Sequence, residues 1–145
     1  MERRRGDYVL TDDPSRMDAA TIHSWLYGQA YWSLGRSLED VTASLSQSRT
    51  YGVLHGEEQV AVGRVISDGV TFAYLCDFFV AEARRNQAIG SWMLACMIED
   101  LRTSKVAQIL LATRDAHALY LRAGFHSLTR PERWLELDPT AETTT

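Results

Sequence analysis

The apolar residues in the first third of the chain recur every three or four positions, which is the spacing of an amphipathic helix. Between residues 17 and 27 they form one stripe, made of Ala19, Ile22, Trp25 and Leu26. A second helix is predicted to begin at Ser37, whose hydroxyl can cap the first turn, and its stripe is Leu38, Val41 and Leu45. A short first strand at 7–10 is predicted before both helices.

After the second helix the pattern takes the two-residue period of β-strands, with runs at 51–55, 59–67 and 70–80. Gly56 and the Asp68-Gly69 pair separate these runs and favour tight turns, because glycine tolerates a positive φ. We therefore expect an antiparallel meander. Its third strand is almost entirely apolar, which is typical of a central strand covered on both faces, and Asp77 is its only charged residue.

The second half of the chain alternates again between helical and strand patterns. A polar, basic loop at 81–87 is followed by a helix at about 88–103, a strand at 106–112, a helix at 115–122 and strands at 125–128 and 134–137. The order β-α-α-β-β-β-α-β-α-β-β predicts a mixed α/β (α+β) domain, with helices flanking a largely antiparallel central sheet. We expect one domain over 1–137 and a disordered tail at 138–145, where Pro, Thr and Glu dominate.

Composition narrows the classes of partner. A chain of 145 residues with 46% hydrophobic content can bury one core, and its net charge of −4 disfavours nucleic acid. The basic run at 3–5 is expected to be solvated at a frayed terminus. No apolar run reaches the ~18 residues of a membrane span, so we expect a cytoplasmic protein with no membrane partner. Cys76 and Cys96 lack the spacing of metal or redox sites, which predicts buried free thiols and no metal.

The strongest chemical signal is the junction at 80–91, where a strand leads through a basic loop into a helix. The first N–H groups of a helix lack intrahelical partners and carry partial positive charge, and Gly90 lets a ligand approach the backbone. Arg84 and Arg85 add positive charge. The junction therefore favours phosphate binding, although an Arg-Arg pair before a helix also occurs as a solvated turn.

Two segments resemble motifs of the GNAT family of N-acetyltransferases. Residues 85–90, Arg-Asn-Gln-Ala-Ile-Gly, resemble its diphosphate-binding signature Arg/Gln-x-x-Gly-x-Gly/Ala, with Ala88 in place of the first glycine. Residues 118–125, Ala-Leu-Tyr-Leu-Arg-Ala-Gly-Phe, resemble the segment Ala-x-x-Leu-Tyr-x-x-x-Gly-Phe, with slightly shorter spacing. The motifs follow the family's order, and the order of elements is similar over 7–137.

The resemblance implies a GNAT fold that binds acetyl-coenzyme A as co-substrate and moves its acetyl group to an amine. The pantetheine arm is expected along the end of the third meander strand, and the diphosphate at the helix start. The residues so assigned are Phe79, Val80, Arg84, Arg85, Asn86, Gln87, Ala88, Ile89, Gly90 and Ser91. Tyr120 matches the family's general acid, and a phenol suits a thiolate because their reference pKa values, about 10 and 8.5, are similar.

The group that removes the amine proton is less clearly indicated. Asp77 is the first candidate, since a carboxylate buried in an apolar strand without a partner readily takes up a proton. The alternative is a structural ion pair with an arginine. The family binds its acceptor at the loop between the first two helices and at later strands, which nominates Tyr31, Trp32 and Arg36. His117 lies three residues before Tyr120, on nearly the same helix face, and is a further candidate for substrate binding. The acceptor is expected to be a small-molecule amine or a protein or peptide amine.

Two other interpretations fit the same residues. The chain could bind coenzyme A without catalysis, as a sensor or interaction module, with Ala88 as the sign of lost function. It could also be a non-enzymatic α/β domain in which the basic loop only starts a helix. Many relatives of the family pair through exposed strands, so the resemblance is compatible with a homodimer and leaves the oligomeric state open.

Overall fold

A six-stranded sheet forms the centre of the computed structural model, which describes residues 1–30 and 34–141. Its strands are β1 (Glu2–Arg5), β2 (Tyr8–Thr11), β3 (Arg49–His55), β4 (Glu58–Ser67), β5 (Ala73–Val80) and β6 (Ile109–Leu111). They lie side by side in the order of the sequence. All neighbours are antiparallel except β5 and β6, which are parallel because a helix connects them. This mixed, mostly antiparallel sheet confirms the predicted fold class.

Within residues 1–30 and 34–141, four α-helices flank the sheet: α1 (Ala19–Gly28), α2 (Leu38–Ser46), α3 (Ile89–Ser104) and α4 (His117–Arg122). Short 3-10 turns occur at 14–16, 82–84 and 131–133. The Asp18 side chain accepts from the N–H of Thr21 at 3.1 Å and fixes the start of α1. The predicted cap of α2 is confirmed, since the Ser37 hydroxyl accepts from the N–H of Asp40 at 3.0 Å.

The two faces of the sheet carry separate apolar clusters. Helices α1 and α2 pack on one face, where Trp25 and Val41 are buried with Val62. Helix α3 packs on the other, where Met93 and Met97 are buried with Ala61. The neighbours Ala61 and Val62 point in opposite directions because side chains alternate along a strand.

A β-bulge at Asp77 changes this alternation in β5. Asp77 has φ +49°, in the left-handed region, and the register between β4 and β5 shifts between Val62 and Arg64. Leu75 packs in the α3 cluster before the bulge and Phe78 after it. Phe79 is thereby turned to the α1 face. The bulge thus decides which side chains of the strand end face each side.

Several predicted boundaries differ from the structure. The arginines at 3–5 are exposed as expected, but they belong to β1, which pairs with β2 and is not frayed. The turn between β4 and β5 is wider than two residues, because the Asp68 carboxylate accepts from the N–H groups of Val70 and Thr71 and closes a longer loop. Within the described residues, no helix is both long and apolar enough to cross a membrane.

The predicted strands at 125–128 and 134–137 are wrong. These residues are irregular, with the turn at 131–133 between them, and β6 is the last strand of the sheet. Strand formation requires a partner edge for the backbone N–H and C=O groups, which an alternating apolar pattern cannot supply by itself.

Candidate active site

A cleft opens where β5 and β6 separate. Their pairing covers Ala73 to Leu75 only, so the rest of β5, through the bulge to Val80, runs past the end of its parallel neighbour. Helix α3 begins on the same side, since Gly90 lies close to Val80 and Phe78. A Cβ built on Gly90 would lie 3.5 Å from Val80 Cγ2 and 3.7 Å from Phe78 Cε1. The strand end and the helix start therefore form adjoining walls of one cleft.

The start of α3 has the backbone geometry of an anion site. Asn86 and Ala88 both have left-handed backbones, with φ +64° and φ +59°. Ala88 is the N-cap residue, and its methyl group cannot accept a hydrogen bond from the first N–H groups of the helix. The first N–H groups of α3 are those of Ile89, Gly90 and Ser91, and the helix dipole adds partial positive charge at this end of the helix. Residues 85–88 are exposed, so a ligand can reach them.

The left-handed conformation of Ala88 is one that glycine, the residue of the family signature at this position, adopts without strain. An L-residue costs roughly 1–2 kcal/mol in this region, and glycine avoids the cost. The chain tolerates the alanine, because the loop takes this conformation despite the added methyl group. The departure from the signature therefore places this strain in the loop.

The two predicted phosphate-binding arginines have protein partners. Arg84 donates from Nη1 to the Tyr8 hydroxyl at 3.3 Å and lies 3.5 Å from the Glu58 carboxylate, so it links the loop to the sheet. Arg85 donates from Nε to the Val80 carbonyl at 3.1 Å and lies over the Phe79 ring, 5.1 Å from its centroid. Arg85 thus covers the end of β5, and its exposed guanidinium lies beside the cleft.

A third arginine reaches this loop from β1. Arg5 donates from Nη1 to the Ala88 carbonyl at 2.9 Å and from Nη2 to the Gln87 carbonyl at 3.3 Å. Tyr8 donates to the Gln87 side-chain oxygen at 2.9 Å. The first hairpin therefore holds the loop in place and adds a positive charge. Sequence reasoning missed Arg5 because its contacts lie more than 80 residues away.

Tyr120 lies on α4 at the side of this cleft. Its ring packs edge-on against Phe78 of the strand end and Phe125, with centroid distances of 6.0 and 5.9 Å. The ring is half-buried, and it lines a groove of about 1070 Å³. Two aromatic neighbours fix the ring plane, so the phenol is held beside the open end of β5. His117, at the start of α4, is exposed and lines the same groove.

Asp77 lies between two arginines on the α1 face of the sheet. Its Oδ2 accepts from Arg36 Nη1 and from Arg64 Nε, each at 2.8 Å, and only 3% of its side chain is exposed. This is the structural ion pair that the sequence left open as the alternative to a general base. Arg36 is thereby tied to the sheet, while Tyr31 and Trp32 lie outside the described residues.

Arg64 is the second residue that sequence reasoning missed. It lies on β4, which pairs with β5, and 11% of its side chain is exposed. The sequence contained a signal for this pair. A lone carboxylate in an apolar strand needs a cation beside it, and the neighbouring strand β4 carries one arginine. Cys76 borders this cluster, and burial raises the pKa of its thiol to about 11.

Comparisons with known proteins agree with this fold. A family model described as "Acetyltransferase (GNAT) family" matches residues 19–125. A candidate acetyltransferase of Gibberella zeae is 28% identical, over 80% of this chain and 77% of its own length. The crystal structure of a candidate GNAT acetyltransferase from Xanthomonas campestris superposes with a TM-score of 0.86 at 31% identity, covering 90% of this chain and 92% of that one.

A more distant structure shares the fold and carries a ligand. It is a GNAT acetyltransferase of Elizabethkingia anophelis with acetyl-CoA bound, and it superposes with a TM-score of 0.66 at 17% identity over 84% of this chain and 78% of its own. The family match spans α1 to Phe125 and includes both the helix start and Tyr120. The chain therefore belongs to the GNAT family of acetyltransferases.

Proposed function

We propose that this protein transfers the acetyl group of acetyl-coenzyme A directly to a primary amine. The observation that carries the proposal is the meeting of three features at one cleft: the strand end of β5 beyond β6, the start of α3, and the phenol of Tyr120. Bound acetyl-coenzyme A would supply an activated acetyl group as a thioester. The neighbour crystallised with acetyl-CoA supports this choice of donor.

The start of α3 is suited to the diphosphate of the coenzyme. The N–H groups of residues 89–91 provide donors, and Arg5 and Arg85 bring two guanidiniums to the same loop. Arg84 supports the site indirectly, because its contacts with Tyr8 and Glu58 hold the loop to the sheet. The left-handed backbone of Ala88 leaves the first N–H groups of α3 unobstructed by a capping side chain, which argues against the interpretation that this site has degenerated.

The strand end is suited to the amides of the pantetheine arm. Phe79 and Val80 follow the bulge and have no parallel strand beside them, so an extended ligand can run along the edge in the place of a strand. The Val80 carbonyl already accepts from Arg85 at 3.1 Å. We expect Arg85 to turn towards the diphosphate when the arm binds, which would free this carbonyl.

Tyr120 is proposed as the general acid. As the neutral amine nitrogen attacks the thioester carbonyl carbon, the carbon–sulfur bond breaks and the phenol gives its proton to the departing sulfur. The proton that the nitrogen sheds on becoming an amide then restores the phenol. The rings of Phe78 and Phe125 hold the phenol in one orientation, which lowers the entropy cost of reaching the geometry for proton transfer. His117 lines the same groove and is proposed to contact the acceptor.

The amine must lose a proton before it attacks. A role of Asp77 in this step stays a prediction, and the two guanidiniums on its Oδ2 favour the structural assignment instead. Arg36 is 26% exposed and lies in the loop between α1 and α2, where the acceptor is expected. We propose that the Asp77 pair positions Arg36 for contact with the acceptor.

A thiol-release assay tests the proposed function. Acetyl-coenzyme A is incubated with the protein and a panel of amines, and free coenzyme thiol is measured over time. Tyr120→Phe should lower kcat by roughly 10²- to 10⁴-fold while coenzyme binding in calorimetry stays unchanged. The matched control is Tyr27→Phe, which removes a hydroxyl from an exposed tyrosine on α1.

Two results would contradict the proposal. Coenzyme binding without thiol release for any amine would favour the non-catalytic sensor. No coenzyme binding at millimolar concentration would leave only an interaction domain.

A further inference from the structure

Two arginines on the α1 face of the sheet share one carboxylate oxygen. Asp77 Oδ2 accepts from Arg36 Nη1 and from Arg64 Nε, each at 2.8 Å. In the part of the chain that the structure describes, neither guanidinium forms an ion pair with a second carboxylate. The thiol of Cys76 beside them stays neutral near pH 7, because burial raises its pKa to about 11. The group of Arg36, Arg64 and Asp77, which we call the Asp77 cluster, therefore carries one positive charge in excess.

Arg36 has hydrogen-bonding capacity that the protein does not use. Its Nη1 donates to Asp77, whereas its Nε and Nη2 have no hydrogen-bond partner among the described residues. These two atoms form the edge of a guanidinium that presents two parallel N–H bonds, which matches the two oxygens of a carboxylate. Arg36 is 26% exposed and Arg64 only 11%, so a ligand reaches the cluster through Arg36.

The Asp77 cluster lies next to the strand end along which the coenzyme arm is proposed to bind. Asp77 is the bulge residue, and the ring of the next residue, Phe78, is 6.0 Å from the ring of Tyr120. Since neighbouring Cα atoms are about 3.8 Å apart, Arg36 is tied to a position close to the proposed thioester. Phe78 and Tyr120 pack on the α3 face, opposite to the cluster. Arg36 and Tyr120 therefore approach the strand end from its two sides.

We infer that the acceptor amine also carries a carboxylate, which Arg36 binds through Nε and Nη2. The inference rests on the proposed acetyl transfer and names the class of acceptor for the same site. A carboxylate brings one negative charge, which balances the excess charge of the Asp77 cluster, whereas a phosphate monoester brings about −1.5 to −2. The two guanidiniums also repel a second ammonium group, so diamines and polyamines are disfavoured as acceptors.

Matched acceptors in the thiol-release assay test the inference. Amino acids of several chain lengths are each compared with their primary amide and with a diamine of similar length, at equal concentrations of the neutral amine. At the best chain length, kcat/KM should be roughly 10- to 100-fold higher for the acid than for its amide, and lowest for the diamine. Equal values for acid and amide would overturn the inference and leave the proposed function standing.

Substitution of Arg36 assigns the preference to one side chain. Arg36→Gln should raise KM for the acid roughly 10- to 100-fold, leave KM for the amide within about 2-fold, and leave coenzyme binding unchanged. Arg36→Lys should restore part of the loss, because it keeps the charge without the two-donor edge. The matched control is Arg16→Gln, which removes an ion-paired arginine before α1 and should change neither KM. Circular dichroism checks the fold, and an equal loss for acid and amide would overturn the inference.

Binding without turnover separates this inference from the proposed function. Protein saturated with coenzyme A is titrated in a calorimeter with the amino acids, their amides and the corresponding aminoalkyl phosphonates. Dipeptides with a free carboxylate distinguish a peptide from a free amino acid as the source of that group. If no amine releases thiol but the acids bind and Arg36→Gln abolishes the binding, the proposed function fails and the carboxylate site stands. Acids that bind no better than amides, or phosphonates that bind more tightly than acids, would overturn the inference.

Discussion

The substitution Asp77→Asn distinguishes a structural ion pair from a general base. Asparagine keeps the size of the side chain and also tolerates the left-handed backbone of the bulge, so the change removes charge with little change of shape. The Arg36 and Arg64 guanidiniums, 26% and 11% exposed, would then face each other without a carboxylate. The perturbation is therefore mainly electrostatic.

The expected loss of stability is large. Removing one partner of a buried ion pair costs about 3–5 kcal/mol, and the remaining amide oxygen can still accept a hydrogen bond, which places the effect near ~3 kcal/mol. In a domain of this size that corresponds to a fall of about 10 °C in Tm. Urea unfolding and a thermal scan measure both quantities. Asp115→Asn, at an exposed acid before α4, is the control and should change the unfolding free energy by less than ~0.5 kcal/mol.

The kinetics of Asp77→Asn complete the test. A structural role predicts that the pH–rate profile of the variant keeps its shape, measured well below its Tm. A general base predicts the opposite pattern, with the unfolding free energy unchanged and the rate lowered roughly 10²- to 10⁴-fold. An unfolding free energy within ~0.5 kcal/mol of the wild type would refute the ion-pair assignment.

Three further changes test other parts of the structure. Ala88→Gly should raise the unfolding free energy by about 0.5–1 kcal/mol, because relief of the left-handed alanine outweighs the added entropy of the unfolded chain; lower stability in urea would contradict this. Gly63→Ala places a Cβ 2.7 Å from Met97 Sδ and should lower the unfolding free energy by about 1–3 kcal/mol. In a chain that already carries Met97→Ala, the same substitution should lower it by less. Burial raises the Cys76 pKa to about 11, so alkylation by iodoacetamide at pH 8 should be on the order of 100-fold slower than for free cysteine. Since the folded state holds this thiol proton more tightly, the stability it contributes is present below pH 9 and is lost as pH rises towards about 11. The unfolding free energy should therefore fall over that range in the wild type more than in Cys76→Ala.

Local signals in the sequence predicted much of the fold. The cap at Ser37, the apolar stripes of α1 and α3, and the meander of β3 to β5 all depend on residues close together in the chain. Each element is specified by interactions that its own residues can make. The helix start at 89–91 belongs to the same class, because its unpaired N–H groups follow from helix geometry alone.

The sequence by itself therefore determined the four helices, the strands β2 to β6, the helix start and the motif that carries Tyr120. Tertiary structure decided which groups meet: Arg36 reaches Asp77 across 41 residues, and Arg5 reaches the loop at Ala88 across 83. It also decided that residues 125–128 and 134–137 are not strands, because a strand exists only where another edge accepts its hydrogen bonds. The physical reason is the separation of the interacting residues in the sequence. Helix caps and apolar stripes involve residues a few positions apart, whereas these ion pairs and strand partners form only when distant parts of the chain fold together.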